Sequence, residues 1–173
     1  QDLHIIENRN KYTVNPDVTL GSSKWVDMHR YRSHTENTLE CVQRLKRDGY
    51  RIVVTTPHAE NVTPATIDLK GPMAFCFGTE LTGASDVLMA HADEHLRIPM
   101  HGFTESYNIS VSAAIVLYTV MERLRASEVD WRLSPADLLT LKLQWARKVV
   151  HSAQHLEARF RLDAGEGDAG KSS

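Results

Sequence analysis

The chain has little of what marks extracellular, membrane-spanning or DNA-coating proteins. Only two cysteines, Cys41 and Cys76, occur in 173 residues. Each sits in an apolar segment, so they read as reduced, buried small hydrophobes of a cytoplasmic protein, not as a disulfide framework. No run of about 18 apolar residues exists, so no membrane span is expected. The opening Gln1-Asp2-Leu3-His4-Ile5-Ile6 has neither the basic start nor the long apolar region of a signal peptide. Neither sign of charge dominates: 20 Lys and Arg stand against 22 Asp and Glu, for a net charge of −2. That excludes a strongly cationic nucleic-acid binder, though a local basic face remains compatible with RNA. There is no internal repeat. There is also no convincing metal motif. His91 and His95 stand four apart, but the intervening Ala92-Asp93-Glu94 breaks the HExxH order and no third ligand is evident, so no metal is expected.

What is present suits one ordinary domain. The apolar fraction is 42%, enough for a core at this length. Leu3, Ile5 and Ile6 predict a strand, Thr19 to Trp25 a short helix, and Val26 to Tyr31 an extended segment. Ser33 to Asp48 predicts a helix, with Leu39, Val42 and Leu45 three apart and Gly49 closing it. Arg51 to Thr56 is a β-branched run suited to a central parallel strand, and Met73 to Phe77 is a second strand. Ser85 caps a short helix through Ala92, and His95 to Ile98 is a last strand. Ile109 to Ala126 is a long helix with Val111, Ile115, Tyr118 and Glu122 on one stripe. Ser134 then caps a final helix to about Leu162, with Pro135 at its first position. The Gly-, Asp- and Ser-rich Asp163 to Ser173 predicts a disordered tail.

Strands alternating with helices predict an α/β parallel sheet flanked by helices. Such sheets bind ligands beyond the carboxyl ends of their strands. Thr55-Thr56, Gly78 to Glu80 and Pro99-Met100 all stand at such ends, which gathers three remote segments at one pocket. His58 and His101 flank that pocket in sequence and read as solvated loop residues. The final helix carries Lys142, Arg147, Lys148, His151, His155, Arg159 and Arg161, which fit either a solvated cationic face or an RNA-contacting one. Its leucines suit a dimer interface.

Two stretches carry more. Gly78-Thr79-Glu80-Leu81-Thr82-Gly83 brackets one acid with glycines after an apolar strand. Ile98-Pro99-Met100 leads into Ser106-Tyr107-Asn108-Ile109-Ser110-Val111-Ser112-Ala113 at the mouth of a helix. Taken alone, Glu80 reads as an exposed turn acid, and Ser106 or Asn108 as a helix cap. In order and at this spacing, the segments resemble motifs 2 and 3 of the SpoU/TrmH branch of the SPOUT RNA methyltransferases, G-x-E-x-x-G, I-P-M and S-x-N-V-S-x-A. Gly21-Ser22-Ser23-Lys24-Trp25 resembles a segment of the same proteins. The resemblance spans about Asp2 to Arg125.

It implies a SPOUT-type α/β fold with a C-terminal trefoil knot. The methyltransferase domain would be 1–126, followed by a helical extension 127–162 packed on it and the tail 163–173. It implies S-adenosyl-L-methionine-dependent 2′-O-methylation of a ribose in structured RNA, a tRNA guanosine or an rRNA site, by a homodimer. Glu80 would shape the place where guanosine and methyl donor meet, and Ser106 and Asn108 would orient the ribose and its phosphate. The backbone around Thr55, Gly78, Ile98, Met100 and Tyr107 would hold the adenosine of the cofactor. Tyr107 departs from the leucine more usual in the family. The family's motif 1, an Asn and an Arg in the first strand-loop-helix unit, has no counterpart here, since Gln1 to Ile6 resembles the strand just after it. The expectation is that the natural reading frame supplies it upstream of Gln1. The alternatives are a non-catalytic knotted RNA-binding or dimerisation module lacking that arginine, and a flavodoxin-like nucleotide-binding domain.

Overall fold

The computed structural model describes residues 2–8, 13, 21–33, 35–60, 62–104 and 106–169, with backbone alone at 23 and 165–169. They fall into two compact units. One comprises Asp2–Asn15 and Met28–Trp131, the other Pro16–Asp27 and Arg132–Ser173 together with Gln1.

The larger unit is built around one strand. Its elements in chain order are β1 (Asp2–Ile6), β2 (Asp27–Tyr31), α1 (Asn37–Arg47), β3 (Arg51–Thr55), β4 (Met73–Cys76), α2 (Asp86–Ala90), β5 (Glu94–Leu96) and α3 (Ile109–Ala126). Strand β3 lies between β4 and β5, parallel to both, with Val53 opposite Phe75 on one side and Glu94 on the other. Ile52, Val53 and Val54 are all fully buried. Side chains alternate across a strand, and the neighbours alternate with them. Ile52 and Val54 pack with Tyr31, Cys41, Val42, Leu45 and Leu88, which come from β2, α1 and α2. Val53 packs with Ile67, Leu96, Val116 and Val120, the last two from α3. An unbroken apolar run is what a strand covered on both faces requires. Strands β1 and β2 form a separate two-stranded sheet.

Several boundaries differ from the sequence expectation. Helix α1 begins at Asn37, four residues after Ser33. Asn37 and Thr38 are buried, and their side chains serve β1's end: Asn37 Nδ2 donates to the Glu7 carbonyl at 3.4 Å, and Asn8 Nδ2 donates to Thr38 Oγ1 at 2.9 Å. The helix closes as expected, with Gly49 at φ +84° and its N–H on Lys46 O. Strand β5 occupies Glu94–Leu96, which leaves Ile98 beyond the strand, in the loop. Helix α3 has the expected bounds, but its core-facing residues are Val116 and Val120, while Val111 and Tyr118 are exposed. On α3, Arg123 donates from Nη1 to Pro64 O and from Nη2 to Ile67 O, both at 2.9 Å, and so fastens the β3–β4 crossover to the helix.

The smaller unit holds a 3-10 turn at Ser22–Trp25, α4 (Pro135–Val149) and α5 (Ala153–Ala169). Thr19 and Leu20 lie outside the described residues. Ser134 caps α4 by accepting from Asp137 N at 3.1 Å, and its hydroxyl donates to Asp137 Oδ2 at 2.6 Å. The single final helix expected from sequence is two helices. Val150 leaves the helical region and Ser152 takes a left-handed φ of +60°. Arg147 then meets Glu157 through two bonds, Nε to Oε1 at 2.6 Å and Nη2 to Oε2 at 2.8 Å. Helix α5 is continuous to Ala169, and residues 170–173 lie outside the described residues. No proline interrupts that stretch, and Gly165 and Gly167 each cost only about 1 kcal/mol relative to Ala in a helix. Trp25 and Trp145 meet edge to face with ring centroids 5.5 Å apart, and Lys148 Nζ lies 3.3 Å from Asp27 Oδ1.

Candidate active site

The site grows from the carboxyl ends of β3, β4 and β5. Thr55 ends β3, and its hydroxyl donates to the Cys76 carbonyl at 3.0 Å, tying β3 to β4 where both stop. Thr56 N donates to Leu96 O at 3.0 Å, tying the same point to β5. Beyond these ties the loops part and leave a cleft of about 430 Å³. It is lined by Phe77, Met89, Ile98 and Met100, and by Thr55, Thr56, His58, Ser106, Tyr107 and Ser112. Seven of the eight residues singled out from sequence, Thr55, Gly78, Glu80, Ile98, Met100, Ser106 and Tyr107, line it.

The rim from Gly78 to Gly83 is a closed loop. Thr79 and Gly83 exchange both backbone bonds, each at 2.9 Å. Inside the ring the Thr79 and Thr82 hydroxyls lie 2.7 Å apart, and Thr82 N donates to Thr79 Oγ1 at 3.3 Å. The two glycines do different jobs. Gly83 needs its left-handed φ of +67°, with open space around it. Gly78 needs the absence of a side chain: a Cβ there would lie 2.1 Å from Gly83 C and 2.2 Å from Ala84 N. The resemblance gave Gly78 as a backbone contact to the cofactor, where a side chain would crowd the ligand. In the structure the room is taken by the loop's own returning backbone.

Asn108, the eighth residue, is not among the side chains that line the cleft, but it joins the two motifs. It is the N-cap of α3, its Oδ1 accepting from Ser110 N at 2.9 Å. Its Nδ2 donates to Glu80 Oε1 at 2.7 Å. The two ends of one carboxamide thus serve different partners, the oxygen capping the helix and the amide nitrogen holding Glu80. The threonine pair, Ser110 and Ser112 were not singled out as functional. The only signal for them is their place inside the two motifs.

Titration behaviour narrows the chemistry. Burial pushes the Cys76 thiol up to about 12, with Cys41 adding to it, and burial pushes Cys41 up to about 11. Neither is a thiolate at neutral pH, so neither is a nucleophile. Near the sheet's opposite end, Asp93 accepts from Ile52 N at 2.8 Å and from Lys46 Nζ at 2.6 Å. Burial there works to raise its pKa, but the Lys46 and Ile52 hydrogen bonds together hold it below the usual carboxylate value.

Fold and cleft together define a parallel α/β domain with an open cleft at the carboxyl ends of its strands, the place where such sheets receive ligands. Residues 1–118 match the model of the SpoU rRNA Methylase family, and the chain belongs to that family. A curated tRNA (guanosine(18)-2′-O)-methyltransferase of Borreliella burgdorferi is 45% identical over 156 residues, covering 90% of this chain and 70% of that protein. A solved structure described as the TrmH/SpoU tRNA modifying enzyme of A. aeolicus superposes with a TM-score of 0.70 at 28% identity, over 87% of this chain and 76% of that one. An AdoMet-bound rRNA methyltransferase from Sinorhizobium meliloti superposes with a TM-score of 0.56 at 25% identity, over 70% of this chain and 45% of its own. Among the described residues, no helix is long and apolar enough to cross a membrane.

Proposed function

We propose that this chain transfers a methyl group from S-adenosyl-L-methionine to a ribose 2′-hydroxyl of structured RNA, with a tRNA guanosine as the target. The observation that carries the reading is the 2.7 Å bond between Asn108 and Glu80 at the rim of the strand-end cleft. It joins the two family motifs into one polar wall, and the B. burgdorferi and A. aeolicus relatives that share the family act on tRNA by name.

The cleft fits the cofactor on its own terms. Its volume lies within the roughly 300–1,000 Å³ of small-ligand sites. Ile98, Met100 and Phe77 offer an apolar bed for a flat purine, and the backbone at Thr55 and Tyr107 offers the polar groups that orient it. The Thr55 hydroxyl proton is committed to Cys76, which leaves the main chain there for recognition. When bound, the cofactor supplies an electrophilic methyl on a sulfonium. The chain's own work is positioning. Glu80 accepts hydrogen bonds from donors on the incoming nucleoside. Ser106 and the exposed first turn of α3 receive the phosphate, as helix N-termini do. Holding a hydroxyl in line with a methyl group contributes several kcal/mol of barrier reduction.

The reading extends to the trefoil knot of the family and to a homodimer in the cytoplasm. The dimer is supported by the large apolar side chains left exposed on α4 and α5, among them Leu139, Leu143 and Phe160. The deciding experiment is methyl transfer from labelled S-adenosylmethionine to tRNA by a chain that carries the motif-1 arginine, with the same tRNA carrying a 2′-deoxy target as control. Label on the ribose tRNA and none on the deoxy tRNA is the expected result. Equal label on both would overturn ribose methylation.

A further inference from the structure

Glu80 and Asn108 account for the site's polar wall, but something must fix which way the Asn108 amide points. Ser110 does so twice. Its backbone N donates to Asn108 Oδ1 at 2.9 Å, and its hydroxyl donates to the same oxygen at 2.5 Å. A carbonyl oxygen has two lone pairs, and Ser110 occupies both. The amide is therefore directional. Turned over, its NH₂ would face the Ser110 N–H, donor against donor, and its oxygen would face the Glu80 carboxylate, acceptor against acceptor. The hydroxyl bond is also the shorter of the two, and donors to a carbonyl polarise the N–H bonds on the same amide.

We propose that Ser110 is a positioning residue, whose hydroxyl locks the Asn108 carboxamide in the orientation that donates to Glu80. Its place two residues into α3 would otherwise mark it as an ordinary exposed helix residue. The inference rests on the proposed methyl transfer for its consequence, but not for its geometry. Ser110→Ala removes one tether and leaves the backbone N–H, so the cap and the fold persist. Loss of one hydrogen bond, about 1 kcal/mol, corresponds to a roughly fivefold fall in single-turnover rate. Ser110→Thr keeps the hydroxyl and restores the rate.

Two readouts keep the proposal separate from the reading of function. In the full chain, the Asn108 side-chain NH₂ signals in ¹⁵N-edited NMR report the tether without any substrate. Expected are shifted, faster-exchanging Asn108 signals in Ser110→Ala and parent-like signals in Ser110→Thr. Unchanged Asn108 signals in Ser110→Ala would overturn the proposal. So would shifted signals with an undiminished rate and only a lowered melting temperature. If a parent that carries the motif-1 arginine transfers no methyl at all, the reading of function falls, and the NMR comparison alone decides Ser110.

Discussion

Asn108 Nδ2 and Glu80 Oε1, 28 positions apart in the chain, stand 2.7 Å apart in space. The same amide's oxygen holds the first turn of α3. One side chain thus sets both where a helix begins and how a rim acid is held.

That double duty makes two substitutions diverge. Asn108→Asp keeps an oxygen for the Ser110 N–H but places a second carboxylate against Glu80. Its melting temperature should stay near the parent's, while turnover falls by the equivalent of about 2–4 kcal/mol, the usual loss for one positioned contact. Asn108→Ala should lose that turnover and also about 1 kcal/mol of cap stability. Melting and single-turnover methylation on both variants, in a chain that carries the motif-1 arginine, check this. Parent-like turnover in Asn108→Asp would remove the Glu80 contact from the mechanism.

The loop glycines should rank in a definite order. Gly78→Ala drives a Cβ into Gly83 and Ala84 backbone and must open the ring. Gly83→Ala meets open space and suffers only from its left-handed φ, a strain of about 1 kcal/mol. Calorimetry with S-adenosylhomocysteine should show parent binding near micromolar, about 8 kcal/mol. Binding should be much weakened in Gly78→Ala and nearly kept in Gly83→Ala. The reverse order would show that the ring does not shape the cleft.

Asp93 sets an acid limit on stability. Its folded pKa lies below the ordinary value, so its contribution is fully present above the unfolded pKa of about 3.9. It fades as pH falls below that and through the folded pKa. Asp93→Asn should lower the urea midpoint at pH 7 and lower it less at pH 3. An equal loss at both pH values would show that Asp93 acts through shape and not charge.

Assembly offers a fourth test. Leu139 and Phe160 are strongly exposed on α4 and α5, at 69% and 73%. Sedimentation of the chain should return a two-fold assembly, and Leu139→Glu with Phe160→Glu should shift it toward single chains with far-UV ellipticity unchanged. A parent that sediments as a single chain at high micromolar concentration would reject the homodimer.

Much of this was legible in sequence where one local pattern decides the outcome. Ile52-Val53-Val54 could only be a strand buried on both faces, and Ser85 and Ser134 announce their helices directly. The capping alternative for Asn108 was also visible, since an Asn before a helical run is a common cap. What escaped depends on partners far along the chain. The late start of α1 follows from Asn37 turning to Glu7, and the break before α5 follows from a left-handed Ser152 that lets Arg147 reach Glu157. The reason for Gly78 lay five residues away, in the backbone of Gly83. No periodicity encodes a chain returning on itself, and the role of Ser110 appears only when two donors are seen on one oxygen.

The pair of backbone hydrogen bonds between Thr79 and Gly83 has a thermodynamic consequence. A rim loop left open would have to surrender its backbone freedom each time a ligand arrived, at roughly 1–2 kcal/mol per residue fixed. Here two backbone hydrogen bonds within the chain itself close the ring. The entropy of ordering the rim is thereby charged to folding, and a ligand received in the cleft would be spared it.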